Sequence, residues 1–261
     1  MDKEWIWDLL AKKNPIYAAV SAHTEDQERA KTMPQIETIL GFIGDGIVLD
    51  AGCGYGRIAK YLLPIRNFAS YIGIDMSQVM LQEFHRMSKE FRWSTPVFLI
   101  KSPLENIPLK NGTIDNIITI AVLLHCPRAS VYNIINEFHR ILKPGGRLIA
   151  LASFPNVCTF SGIQGLCYET FLAVSGKASA NGPVRYWSKY KVINLFRDFS
   201  YVQILPSGFN LIPKSILGLP MPINQVWQKA IYERLSPFVY KLLPLNLRNL
   251  FCTHYDVVAI K

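Results

Sequence analysis

Asp50, Gly52, Gly54, Gly56 and Asp75 are the residues of this 261-residue chain whose types and spacing could do chemistry. Four of them fall in Val48-Leu49-Asp50-Ala51-Gly52-Cys53-Gly54-Tyr55-Gly56-Arg57. Glycines at alternate positions let a backbone approach a ligand closely and adopt φ > 0 where other residues would clash. An acid precedes them at the end of a hydrophobic run. About 20 residues later a second run, Tyr71-Ile72-Gly73-Ile74-Asp75, ends in another acid. Strand, glycine turn, helix, strand, acid is the layout of a nucleoside-binding βαβ unit, with the second carboxylate placed to accept ribose hydroxyls. The alternatives are a plain tight turn for the glycines and a helix cap for Asp75.

The elements that must position these residues follow from periodicity and breakers. A helix is expected near Trp5–Leu10, interrupted at Asn14-Pro15, and a second from about Glu25 to Leu40 with a kink near Pro34. Strands are expected at Ile47–Asp50, Tyr71–Asp75, Val97–Lys101, Ile114–Ile120 and Arg147–Ala152. Between them lie a helix through Ile58–Leu63, a helix Gln78–Phe91 capped by Ser77, and a helix Ser130–Leu142. Lys143-Pro144-Gly145-Gly146 reads as a breaker that ends the last of these. Five strands alternating with helices predict a parallel, three-layer α/β sheet. Its ligand crevice would lie beyond the carboxyl ends of the strands, among Asp50–Gly56, Asp75, Ser102–Asn106 and Ala121–His125.

After the fifth strand the pattern changes. Residues 154–184 are rich in Gly and Ser, a helix is expected at Trp187–Phe199, a sixth strand at Tyr201–Leu205 and a final one over Tyr255–Lys261. Between them lies a Pro-punctuated block, Leu211–Leu250, in which Ile223, Val226, Trp227, Ala230, Ile231 and Leu235 make an amphipathic face.

The formal net charge is +9. Residues 1–153 contribute +2 and residues 154–261 contribute +7. A basic second half suits an acidic ligand or an anionic lipid surface, and a solvated surface equally. No Lys/Arg cluster of the nucleic-acid-binding type is visible. Five scattered cysteines with no CxxC spacing suggest a reduced, cytoplasmic protein without a zinc site. The start, Met1-Asp2-Lys3-Glu4, shows no apolar stretch of secretory type.

The combination VLDAGCGYGR, GIDMS, ENIPLKNGTIDNIITIAVLLH and LKPGGRLIA resembles the class I S-adenosylmethionine-dependent methyltransferases, especially the group that includes quinone and sterol C-methyltransferases. The resemblance covers roughly residues 40–153 and the last strand. It implies a Rossmann-like, seven-stranded sheet whose antiparallel last strand slots between strands 5 and 6. It implies a single domain with a helical lid at 1–40, a cofactor-binding core at 41–153, a substrate cap at 154–250 holding strand 6 near 201–205, and the last strand at 251–261. S-adenosyl-L-methionine is the implied cofactor. Asp50, Gly52, Cys53, Gly54 and Gly56 would line its methionine end with Ala121. Asp75 would accept both ribose hydroxyls, Met76 would pack on adenine, and Leu104 and Glu105 would lie near the adenine edge. His125 sits where such enzymes often face the substrate with a histidine, and is the candidate general base. One departure is Pro103, where relatives often carry an Asp that bonds the adenine amino group; Leu104 backbone or Ser102 would serve instead.

The implied acceptor is a small molecule, hydrophobic or lipid-linked, because the divergent parts are rich in aromatics: Trp5, Trp7, Tyr17, Phe154, Phe160, Tyr168, Phe171, Tyr186, Trp187, Phe209, Trp227 and Tyr232. Tyr17, His23, Tyr168, Glu169, Tyr186 and His254 are further residues that could reach it. The block 211–250 could rest on a membrane surface. Three other readings stay open. A nicotinamide dehydrogenase would want glycine where Arg57 stands. A binding module could keep the pocket without turnover. An RNA methyltransferase would suit the basic charge, but Ala121-Val122-Leu123-Leu124-His125 lacks a target-base motif.

Overall fold

The computed structural model describes residues 3–16, 22–177, 183–209, 215–216, 219–220, 227 and 235–261. Helices α1 (Lys3–Lys13) and α2 (Glu25–Phe42) precede the sheet. Thr24 opens α2 by accepting the Gln27 N–H, and Glu25, Asp26 and Glu28 fill its first turn, where the positive end of the helix stabilises them. The helix runs on through Pro34 to Phe42.

Strands β1 (Ile47–Ala51), β2 (Ser70–Asp75), β3 (Val97–Lys101), β4 (Ile114–Ile120) and β5 (Leu142–Pro155) pair in parallel. Helices α3 (Arg57–Leu62), α4 (Gln78–Phe91) and α5 (Arg128–Ile141) connect them. Then come α6 (Phe160–Val174), α7 (Lys189–Leu195), β6 (Tyr201–Phe209), a two-residue ladder of β7 (Ser215–Ile216) with β8 (Leu219–Pro220), α8 (Ser236–Leu242), α9 (Leu245–Phe251) and β9 (Cys252–Ile260). The main sheet has seven strands in the order β3-β2-β1-β4-β5-β9-β6, and β9 runs antiparallel to both its neighbours. This is the expected Rossmann-like arrangement.

Alternation along the strands fills two layers. Leu49, Ile117 and Leu148 face one side with α5 residues such as Phe138, while Val48, Ile118 and Ile149 face Ile36 and Ile39 of α2 and Phe84 of α4. Each such side chain contributes about 1.5–3 kcal/mol when fully buried, so the layers fix which way every strand faces. Strand order reverses between β1 and β4, and ligands on such sheets bind outside the strand carboxyl ends at that point.

Several elements differ from expectation. Helix α5 ends at Ile141, just before Lys143–Gly146 as expected, but β5 begins at Leu142 and not at Arg147, so that segment lies inside the strand. The Gly145 N–H donates to the Lys261 carbonyl at 2.9 Å and the Lys261 N–H to the Gly146 carbonyl at 3.0 Å, so these glycines extend the ladder. Strand β6 continues past Leu205 to Phe209 because β9 begins at Cys252 and pairs with the added residues. The helix expected from Trp187 starts at Lys189: Ser188 caps it, and Trp187 is fully buried and bridges to Asn156. Helix α6 was not expected; Thr159 caps it by accepting the Gly162 N–H. The amphipathic face at Ile223–Leu235 lies outside the described residues apart from Trp227 and Leu235. No described helix is long and apolar enough to cross a membrane.

Candidate functional site

β1 ends at the glycine turn, where Gly52, Gly54 and Gly56 have φ of +79°, +53° and +88°. This left-handed region strains any residue with a Cβ. The three glycines answer to different neighbours. A Cβ on Gly52 would lie 2.3 Å from Val122 Cγ2, and one on Gly56 2.3 Å from Phe84 Cδ2, whereas one on Gly54 would meet nothing within 4 Å. The protein's own packing therefore demands the first and third glycines, and the space over Gly54 is open. Four of the turn's N–H groups are spent internally. Gly52 and Cys53 donate to the Ile74 carbonyl at 2.8 and 3.0 Å, and Gly56 to the Cys53 carbonyl at 3.0 Å. Gly54 donates to Asp75 Oδ2 at 2.8 Å. At Gly54 the turn offers a ligand close approach. The Cys53 thiol is buried against Gly73, so only its main chain faces the turn.

Asp75 ends β2 beside this turn. Its Oδ2 takes the Gly54 N–H and its Oδ1 the Ser77 N–H at 2.9 Å. A carboxylate has about four lone-pair sites, so each oxygen keeps acceptor capacity. Burial raises its pKa, and the N–H groups of Ser77, Gly54 and Met76 oppose that rise. The half-buried Met76 follows directly.

Asp50 lies deeper, 2% exposed, and accepts the Tyr71 hydroxyl at 2.6 Å. Burial pushes its carboxyl up to about 7, against the pull of Tyr71 and Arg57. Arg57 is itself buried and donates to Thr32 Oγ1 at 2.9 Å and Gln35 Oε1 at 2.7 Å, tying α3 to α2. Between about pH 4, the unfolded value, and about pH 7 the folded carboxyl keeps a proton that the unfolded chain has lost. Its contribution to stability is thus present below about pH 4 and lost as pH rises through about 7, by up to about 4 kcal/mol. Asp50→Asn is expected to remove this slope. Urea unfolding of both proteins at the two ends of the window checks it, and equal slopes would refute it.

The end of β4 turns sharply. Ala121 has φ +57° and donates to the Leu151 carbonyl at 3.0 Å. Leu123–His125 then form a single 3-10 turn. His125 Nδ1 lies 3.0 Å from the Pro183 carbonyl, and its ring meets Trp7 edge-on at 5.1 Å. Burial lowers its pKa, partly offset by the Pro183 contact. At the end of β3, Ser102 turns its hydroxyl onto the carbonyls of Pro103 and Asn106 at 3.2 and 2.9 Å. Leu104 is buried, Glu105 half-buried and Pro103 exposed.

Some of the site was missed. Asp8 of α1 reaches it through a short hydrogen bond from the Ser77 hydroxyl, beside Trp7, which was expected on the acceptor side and meets His125. Ala11 of α1 packs with Tyr55 of the glycine turn and Met80 of α4. Ala152, inside β5 where its pairing with β9 shifts register, has φ +48°, and its N–H is held by Asp256 Oδ1 at 2.6 Å. Nothing local in the sequence marks these pairings. The aromatic residues do not all line a cavity either. Phe154 and Trp187 are core residues in edge contact, while Phe160, Tyr168, Phe171 and Trp227 turn outward. The Tyr186 hydroxyl sits where a Cβ on Gly165 would be. His254 is buried, with a pKa lowered by that burial to about 4. Tyr17 lies outside the described residues. Among the described residues no group of three or more His, Cys, Asp or Glu could hold a metal ion.

Comparison with known proteins agrees with this geometry. Residues 49–150 match the methyltransferase domain family. Over 150 residues the chain is 29% identical to the ubiquinone/menaquinone biosynthesis C-methyltransferase UbiE of Syntrophotalea carbinolica, covering 56% of this chain and 61% of that protein. It thus spans about six-tenths of that relative's length. Among solved structures, a possible histamine N-methyltransferase of Thermotoga maritima superposes with a TM-score of 0.60 at 16% identity, covering 99% of this chain and 98% of the other. The geranyl diphosphate C-methyltransferase of Streptomyces coelicolor, solved with S-adenosyl-L-homocysteine, superposes with a TM-score of 0.57 at 15% identity, covering 94% and 86%. At these identities the structural matches speak to the fold alone.

Proposed function

We propose that this chain, which carries a methyltransferase domain over residues 49–150, is an S-adenosylmethionine-dependent methyltransferase acting on a small, hydrophobic or lipid-linked acceptor. One observation carries the reading: an open, left-handed Gly54 is bonded directly to a carboxylate that keeps acceptor capacity on both oxygens. That pairing suits a ligand that is backbone-tight at one end and offers a hydroxyl pair at the other. A nicotinamide dinucleotide would want glycine where Arg57 stands.

When bound, the cofactor supplies a sulfonium with an activated methyl group. Asp75 holds the ribose hydroxyls. Met76 packs on adenine, and Leu104 and Glu105 border its edge. Because Ser102 is turned onto neighbouring carbonyls, the Leu104 main chain takes the place of the acid missing at Pro103. Asp50, Gly52, Cys53, Gly54, Gly56 and Ala121 shape the methionine end. Helix α1 closes over the turn through Asp8, Trp7 and Ala11 as a lid over 1–40, and residues 154–250 cap the acceptor side. Holding donor and acceptor in line while excluding water supplies several kcal/mol of the barrier, on the order of 7–11 at best.

His125 is the general base for an acceptor that arrives protonated. Donating Nδ1–H to the Pro183 carbonyl leaves Nε2 as the acceptor nitrogen, and burial keeps the imidazole neutral near pH 7. His125→Gln is expected to lower kcat by about 10²–10⁴-fold with unchanged affinity for S-adenosylhomocysteine. The basic form is the working one, so activity should fall only as pH drops below the ordinary imidazole range. An intact kcat would reduce His125 to a strut under the cap. The function itself is tested by titrating the folded protein with S-adenosylmethionine and S-adenosylhomocysteine in a calorimeter, then following labelled methyl into fractionated extract. No heat with either compound ends the proposal; heat without transfer favours a binding module.

A further inference from the structure

Helix α6 is laid on the domain with its polarity reversed. A surface helix normally turns its apolar stripe inward and its charges out. In α6 the inner side is made by Gly162, which abuts the Asn156 carbonyl, by Gly165 under the Tyr186 hydroxyl, and by the buried Leu172. Phe160, Ile163, Cys167, Phe171 and Val174, at spacings of 3, 4, 4 and 3, share the opposite face. Phe160 is 59% exposed, Ile163 54%, Phe171 62% and Val174 85%. The helix holds a single ionisable acid or base, Glu169, which is half-buried. The result is an uncharged apolar ridge about 22 Å long, and contiguous exposed apolar surface of this kind marks an interaction site.

We propose that this ridge seats the protein on an anionic lipid surface, with α6 lying in the plane of the headgroups. Charge selects that occupant. From Thr170 to Arg197 the chain carries Lys177, Arg185, Lys189, Lys191 and Arg197 and no acid. Lys177 follows the end of α6, exposed, and Arg185 precedes the tyrosine that packs beneath it. An apolar face bordered by basic residues gains both from burial among acyl chains and from attraction to anionic headgroups. Pairing with a second copy would instead bring two basic borders together. The proposal rests on α6 and not on the block at 211–250, and it does not depend on methyl transfer.

Co-sedimentation tests it, using vesicles of phosphatidylglycerol mixed with phosphatidylcholine, vesicles of phosphatidylcholine alone, and sedimentation velocity without lipid. The wild-type protein is expected to bind the anionic vesicles, to bind the neutral ones more weakly, and to be released as salt rises. The double variant Ile163→Asn/Phe171→Asn is expected to lower partitioning by about tenfold or more, with unchanged melting temperature and S-adenosylhomocysteine affinity. Three results would overturn the proposal: a wild-type protein that ignores anionic vesicles, a double variant that binds them equally well, or a wild-type dimer that the double variant splits.

Discussion

Gly56→Ala is expected to cost the fold about 2–5 kcal/mol, while Gly54→Ala costs it only about 1–2 kcal/mol and weakens the ligand. Both positions are left-handed, which costs a residue with a Cβ about 1–2 kcal/mol. They differ in what the added methyl meets. At Gly56 it lands against the ring of Phe84, a fully buried residue wedged between Tyr71 and Trp93. Overpacking of that kind adds roughly 1–3 kcal/mol. At Gly54 the methyl enters open space, which is where the cofactor's backbone-tight end would come. The expected signature is a urea midpoint lowered further by Gly56→Ala than by Gly54→Ala, and for Gly54→Ala an affinity for S-adenosylhomocysteine reduced at least about tenfold. If Gly54→Ala binds as tightly as the wild type, the ligand does not approach there.

Asp75→Asn should weaken S-adenosylhomocysteine by about 1.5–3 kcal/mol, the range for hydrogen bonds to a charged group. The substitution also touches the loop, because Asp75 takes N–H groups from both Gly54 and Ser77. An analogue lacking the ribose hydroxyls separates the two effects. If Asp75 holds those hydroxyls, the analogue loses affinity for the wild type but little more for the variant. Equal losses in both proteins would mean that the carboxylate only braces the turn.

Much of this was legible because local patterns coincide with tertiary demands. The bounds of α4, β3 and β4 follow the sequence reading, since Ser77 caps the first and short apolar runs bounded by turns define the others. The glycine turn was legible because alternate glycines are rare without a backbone reason. Lys143–Gly146 marked the helix end but hid the start of β5, because its Pro and glycines also permit a strand that Lys261 completes. Helix α6 was legible in principle, from apolar residues at spacings of 3, 4, 4 and 3 and from Thr159 three residues before Gly162; its two glycines and the Gly- and Ser-rich stretch around it masked the pattern. The partners of the site were hidden for a different reason. Asp8 with Ser77, Trp7 with His125 and Pro183 with His125 are joined across tens of residues, and no window of sequence encodes such a pairing.

The place of β9 between β5 and β6 governs how a nascent chain can complete itself. The first five strands pair with one another as they emerge, but β6 touches the main sheet only through β9. Until residues 252–260 leave the ribosome, two open edges wait side by side, each a template for a foreign strand. Closure by so distant a segment is slow, and those edges stay open until β9 inserts between them.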